Sequence, residues 1–160
     1  MQDRAVGMLD FQRCGMELKI YENILTMASM QSLRIACGLR LLDSGMLKRA
    51  LNNSILKLSA VADDKVVGML RVVGDCSFVF VICDVMVDPE YRNRGIATAL
   101  VAYALRAIEE MLPKGVTGTV SLFASKGKEK LYSRLGFREL PDGMSGPGMQ
   151  TMVIGRGDDL

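Results

Sequence analysis

Residues 85–97 carry the most chemical information in the chain. They read Val-Met-Val-Asp-Pro-Glu-Tyr-Arg-Asn-Arg-Gly-Ile-Ala. An apolar strand runs through a turn into a helix, with Gly95 at the turn. The first backbone N–H groups of a helix have no partner inside it, and they carry partial positive charge. Aimed at one point, they bind an anion such as phosphate. Gly95 lets the backbone come close, Ala97 keeps the first helical turn uncrowded, and Arg92 and Arg94 add formal charge. Neither GxGxxG nor GxxxxGK[ST] occurs in the segment. Taken singly, each arginine reads equally well as solvated surface.

Other chemistry is excluded by composition. The 160 residues contain no histidine. That removes the commonest general base and every Ser–His or Cys–His arrangement. The four cysteines, Cys14, Cys37, Cys76 and Cys83, form no CxxC pair. No metal is expected, and the thiols read as reduced and mostly buried in a cytoplasmic protein. Cys83 lies inside an apolar strand with nothing adjacent to lower its pKa, so it is no nucleophile. Asp84 is the one charge in the run FVFVICDVMV. A lone buried carboxylate is costly, so it either has partners or borders a site opening.

The elements that position these groups follow from periodicity. Residues 1–15 show none and read as an N-terminal extension or a flexible arm; residues 16–160 read as a single domain. Met16 opens a strand. A helical pattern starts near Thr26, is interrupted at Gly38, and resumes around Met46, Leu47, Ala50 and Leu51. Residues 56–62 and 65–74 form a hairpin around Asp63-Asp64. Residues 78–87 are the most apolar strand, central and ended by Asp88-Pro89. A long helix follows from Gly95, with Ile96, Leu100, Ala104 and Ile108 as its buried stripe. Residues 118–124 form a strand, 127–135 a short helix ended by Gly136, and 149–154 a closing strand. Lys+Arg number 20 and Asp+Glu 18, a net charge of +2, which gives no electrostatic case for nucleic acid. No apolar run is long enough to span a bilayer, and charges sit where a signal peptide needs its apolar core.

The block DVMVDPEYRNRGIATAL, with Arg92-x-x-Gly95-x-Ala97 inside it, resembles the Q/R-x-x-G-x-G/A signature of the GCN5-related N-acetyltransferases, the GNAT family. Leu131-Tyr132-Ser133-Arg134-Leu135-Gly136-Phe137 resembles that family's Y-x-x-x-G-F segment, and the element order agrees from about residue 17 to 154. The resemblance implies an α/β GNAT fold: a mixed, mostly antiparallel central sheet flanked by helices, with a V-shaped opening between the two central strands. It also implies acetyl-CoA as the acetyl donor. Val85, Met86 and Val87 would pair with the pantetheine amides. The amides of Asn93, Arg94, Gly95, Ile96 and Ala97 would hold the pyrophosphate, with Thr98 adding N–H and hydroxyl and Arg92 at the Q/R position. Phe123, Ala124 and Ser125 would form the opposite wall. Ser125 stands where many relatives have asparagine. Among Lys126, Lys128, Lys130 and Arg134, one or two would meet the 3′-phosphate, Lys128 being the first choice; each reads equally as solvated surface.

The reaction implied is transfer of the acetyl group to a primary amine of a small molecule, by direct attack in a ternary complex. A backbone N–H at Val85 would hold the oxyanion. Tyr132 would be the acid that protonates the leaving thiolate; its other reading is a packed aromatic. The strand position of the family's catalytic glutamate falls near Val81 or Ile82. Asp84 is the nearest carboxylate and reads either as a group that draws in or deprotonates the amine or as a structural aspartate; Glu17 and Glu22 are weaker candidates. Acyl-CoA sensing without catalysis and acetylation of a protein amine are the alternatives. No nucleic acid or membrane partner is expected, and a homodimer is left open.

Overall fold

Two-residue turns, alternating burial and one long crossover generate the sheet. The computed structural model describes residues 17–152. Its strands are β1 (Leu18–Glu22), β2 (Leu56–Ala62), β3 (Lys65–Gly74), β4 (Val79–Val87) and β5 (Thr119–Ser121), which lie side by side in that order. Its helices are α1 (Met27–Ala36), α2 (Ser44–Asn52), α3 (Ile96–Met111) and α4 (Glu129–Ser133). Neighbours from β1 to β4 are antiparallel, and β4 and β5 are parallel. A parallel step needs a long connection, and α3 provides it. The result is the mixed, mostly antiparallel sheet with flanking helices that the resemblance implies. The chain divides into two compact units, the first running through Phe123 and the second from Ala124 onward.

Local chemistry explains the elements of the first unit. Asp63 and Asp64, with φ of 48° and 59°, make the two-residue turn between β2 and β3. Thr26 caps α1 by accepting from the Ser29 N–H, and Ser29 accepts from the Thr26 N–H in return. Asp43 caps α2 at the Met46 N–H. On one face of the sheet, Leu56, Leu58, Ala60 and Ala62 are buried, as is the α3 stripe Ile96, Leu100, Ala104 and Ile108. On the other, Leu25, Met30, Leu33, Leu47 and Leu51 pack with Met69 and Met86.

Some expected elements differ. β5 covers residues 119–121 rather than 118–124, and α4 covers 129–133 rather than 127–135. The closing strand over 149–154 does not form across 149–152; the rest lies outside the described residues. A strand needs a ladder partner and a face to bury, and Met149 and Met152 are 90% and 82% exposed. β5 is therefore the sheet's edge among the described residues, not a central strand. The arm over residues 1–15 and Met16 also lie outside the described residues.

Gly68 sets how closely α3 approaches the sheet. A Cβ there would lie 2.9 Å from the Ile96 side chain and 3.4 Å from Ala60 and Leu100. Gly68→Val should therefore displace the start of α3 and cost about 1–3 kcal/mol, as overpacking does. Urea unfolding measures it; a midpoint equal to the parent's would show that α3 yields freely.

Candidate functional site

The site begins where β4 loses a neighbour. β5 pairs with it at Val79, Phe80 and Val81 only. From Ile82 to Val87, β4 keeps β3 on one edge and has no ladder partner on the other among the described residues. Backbone N–H and C=O groups on such an edge require partners, and an extended ligand bearing amides can add as a strand. This is the parting of strands that the resemblance implies, with Val85, Met86 and Val87 on its β4 side.

The β4 strand is also irregular at this point. Cys83 stands opposite Arg71 and Met86 opposite Met69. Asp84 and Val85 thus share one partner position, Leu70, in a β-bulge. Asp84 has φ of 50°. Its carboxylate accepts from Arg71 Nε at 2.8 Å and is ion-paired with Arg71 Nη2 at 2.6 Å, both on Oδ2. Arg34 Nη1 lies 3.9 Å from Oδ1.

Beyond Val87, Asp88 turns the chain. It is buried, accepts from the Glu90 N–H, and is ion-paired with Lys65 at 2.8 Å. The bond from Lys65 holds the Asp88 carboxyl below the ordinary carboxylate range, against the opposing effect of burial, with the Glu90 N–H helping. One turn of 3-10 helix, Pro89–Tyr91, leads into the loop. Asn93 and Gly95 there have φ of 61° and 80°. Left-handed residues alternating along a loop turn successive N–H groups toward one concavity, an anion nest. Gly95 is the N-cap of α3, and no side chain caps that end. The donors of Ile96, Ala97 and Thr98 thus belong to an open helix start, which fits a pyrophosphate. Ile96 offers only its backbone, because its side chain is in the core.

The two arginines of the turn lie against its own backbone. Arg92 donates from Nε to the Val87 carbonyl at 3.2 Å, and its Nη2 is 3.6 Å from Cys37 Sγ. The Cys37 thiol donates to the same carbonyl at 3.5 Å. Arg92 thereby ties the end of β4 to the end of α1. Arg94 donates to the Glu90 carbonyl and lies 5.2 Å from the centre of the Tyr91 ring.

In the second unit, Ser125 and Lys128 are exposed, and the Lys128 N–H donates to the Ser125 carbonyl at 2.9 Å. Tyr132 is half-buried on α4, edge-on to Phe137 at 6.0 Å. Burial pushes its phenol pKa up. Gly136, φ 91°, lies just beyond this helix. Phe123, at the end of the first unit, is 71% exposed.

The remaining candidates are otherwise engaged. Glu22 accepts from the Tyr103 hydroxyl at 2.8 Å, and burial first, then Glu22, pushes the Tyr103 pKa up to about 12. Glu17 is paired with Lys19. Burial raises the Cys83 thiol pKa, against a nucleophilic role. Cys76 is exposed, and Cys37 and Cys83 are half-buried rather than buried. The described residues contain no group of three or more His, Cys, Asp or Glu placed to hold a metal, and no helix long and apolar enough to cross a membrane. Arg71, Arg34, Lys65 and Gly68 were not expected in or near the site. Arg71 is the only charge inside VVGMLRVVG, as Asp84 is inside FVFVICDVMV. Two lone opposite charges on neighbouring hairpin strands are a signal that they pair.

Known proteins share these features. The curated relative "GCN5-related N-acetyltransferase 2, chloroplastic" of Arabidopsis thaliana is 39% identical over 84 residues, 52% of this chain and 31% of its own length. The chain spans about a third of the length of this relative and of two others that it matches, from Glycine max. A probable acetyltransferase of unknown function from methicillin-resistant Staphylococcus aureus has a similar structure, with TM-score 0.71 and 25% identity, covering 84% of this chain and 99% of that one. An acetyltransferase from Clostridium acetobutylicum, solved with acetyl-CoA, has TM-score 0.60 and 17% identity over 80% of this chain and 94% of its own, a likeness of fold. The sequence profile described as "Acetyltransferase (GNAT) domain" matches residues 56–139, more than half the chain. With sheet, opening and turn in agreement, this chain belongs to the GNAT acetyltransferase family.

Proposed function

We propose that the protein transfers an acetyl group from acetyl-CoA to a primary amine of a small molecule, by direct attack in a ternary complex. The observation that carries this reading is continuity. The unpaired edge of β4 runs through the turn into a helix start that no side chain caps. A ligand with an amide-bearing arm and a pyrophosphate matches both. The Clostridium relative, which contains acetyl-CoA, supports the reading through fold.

In this reading the Met86 and Val87 backbone pairs with pantetheine. The amides of Asn93, Arg94, Gly95, Ile96 and Ala97 and the N–H and hydroxyl of Thr98 hold the pyrophosphate. Arg92 contributes through its backbone and positive charge; the family resemblance assigns Ser125 to the pantetheine arm and Lys128 to the 3′-phosphate. When bound, acetyl-CoA supplies a thioester carbonyl that an uncharged amine can attack. The Val85 N–H donates to the oxygen that gains negative charge. Tyr132 gives a proton to the departing sulfur, and the proton that the attacking nitrogen sheds returns to the phenolate through solvent; burial pushes the phenol pKa up, so the group starts protonated. The free thiols of Cys37, Cys76 and Cys83 accord with a reducing compartment such as the cytoplasm.

Two measurements test this. CoA at a hundredfold excess over its dissociation constant should stabilise the fold by about 2.7 kcal/mol. Gly95→Glu should remove that stabilisation, since it puts bulk and negative charge in the nest. Gly95→Asn, which tolerates the left-handed conformation, should keep part of it; an undiminished shift in the glutamate variant would remove the turn from the cofactor site. Tyr132→Phe should bind acetyl-CoA as the parent does and lose at least about tenfold in kcat, read with a panel of small amines. Parent-like turnover by this variant would assign the phenol to packing. Binding of CoA without turnover of any amine by the parent would return the protein to the sensor reading.

A further inference from the structure

The bulge in β4 has a support that the reaction scheme leaves unused. Asp84 occupies the left-handed region, at φ 50°, where a side chain with a Cβ is disfavoured, although Asp and Asn tolerate it best. Its carboxylate has a guanidinium beside each oxygen. Oδ2 accepts from Arg71 Nε and is ion-paired with Arg71 Nη2, and Oδ1 faces the Arg34 guanidinium at 3.9 Å. The three side chains are only 22%, 12% and 11% exposed, for Asp84, Arg71 and Arg34. Arg71 is itself fixed, donating to the Ala50 carbonyl of α2 at 3.0 Å and to Ser54 Oγ at 2.8 Å. Arg34 stands on α1 and donates to the Arg40 carbonyl in the loop that follows. Asp84 is thus held from β3, α1 and α2 at once.

This arrangement suits neither task that its position in β4 suggests. To act as a base, the carboxylate would have to accept the amine's proton with a guanidinium beside each of its oxygens. To draw in a cationic amine, the cluster would need negative charge, and two arginines against one aspartate leave it positive. What the arrangement does control is backbone direction. The Val85 N–H belongs to the peptide plane that follows the Asp84 α carbon, so any turn of the Asp84 backbone re-aims that N–H.

We propose that Asp84 is a positioning residue: Arg71 and Arg34 grip its carboxylate, hold the bulge in its left-handed conformation, and so fix the aim of the Val85 N–H. The inference rests on the reading of that N–H as the oxyanion donor, but its geometric part can be measured alone. Through Arg71 and Arg34 the aim of the donor also depends on α1 and α2.

The test uses the full chain with Arg71→Met, Arg71→Lys, Asp84→Asn and Asp84→Ala. The three-bond coupling between the amide and α protons of residue 84, read together with their intraresidue nuclear Overhauser effect, which is strongest in the left-handed region, reports φ. Asp84→Asn should keep the left-handed coupling and a kcat within about threefold of the parent, because Asn tolerates that region and its side-chain oxygen still accepts from Arg71. Arg71→Met and Asp84→Ala should lose the left-handed coupling and at least about tenfold in kcat, as when an oxyanion donor is misplaced, with CoA binding retained. Arg71→Met combined with Asp84→Ala should be no worse than either alone, since both remove one grip. Arg71→Lys, which keeps charge without the fork, should fall between and serves if Arg71→Met does not fold. An unchanged coupling in Arg71→Met or Arg71→Lys would overturn the proposal. So would a loss in Asp84→Asn equal to that in Asp84→Ala together with disappearance of the acid limb of the pH–rate profile, the mark of a base. If the couplings change as expected while the parent acetylates no amine, the bulge grip stands and the acetyl-transfer reading falls.

Discussion

Everything in this molecule that could serve chemistry depends on one unmet requirement of β4. Backbone N–H and C=O groups inside a sheet must be paired. Among the described residues, β4 meets that requirement on both edges only at Val79, Phe80 and Val81, where β5 lies alongside. Past that point one edge stays open, and the same strand carries the bulge at Asp84 and Val85. The turn after Val87 then delivers a helix whose first donors also lack a capping side chain. Two kinds of open backbone donor therefore stand in sequence along one continuous stretch of chain.

Keeping such groups open demands rigid surroundings. α3 is drawn tightly onto the sheet because Gly68 leaves room for Ile96 and Leu100. The buried Asp88, bonded to Lys65 and to the Glu90 N–H, fixes where β4 ends. Arg92 and Cys37 share the Val87 carbonyl and join that end to α1. None of these contacts need touch a ligand. Each restrains the backbone from which the ligand's partners are drawn.

The charges near the bulge obey the same logic. An aspartate in an apolar strand is tolerable only if charge and hydrogen-bonding capacity are both matched. Arg71 supplies most of this from the adjacent strand, and its remaining donors reach the end of α2. The helices on this face are thus joined to β4 by apolar packing, by this polar cluster and, at Val87, through Cys37 and Arg92.

Much of this was legible in the residues themselves. The hairpin at Asp63-Asp64, the α3 stripe and the turn through Gly95 follow from short-range rules: left-handed turns, a 3.6-residue period, and a glycine where the backbone must bend. The strand–turn–helix block and the Tyr-x-x-x-Gly-Phe segment carried the family because their spacing is local. Of the partners of Asp84, Arg71 left a signal as the lone charge on the neighbouring strand, but Arg34 left none, since it lies 50 residues away in sequence and meets Asp84 only when α1 packs on the sheet. Nor was the length of β5 legible, or the absence of a strand over residues 149–152, because a strand exists only where a neighbour accepts its hydrogen bonds. Sequence by itself determined which segments could bend, pair or bury a face. Tertiary structure decided which backbone groups were left without partners and which charges met, because both depend on distances between segments that no local pattern encodes.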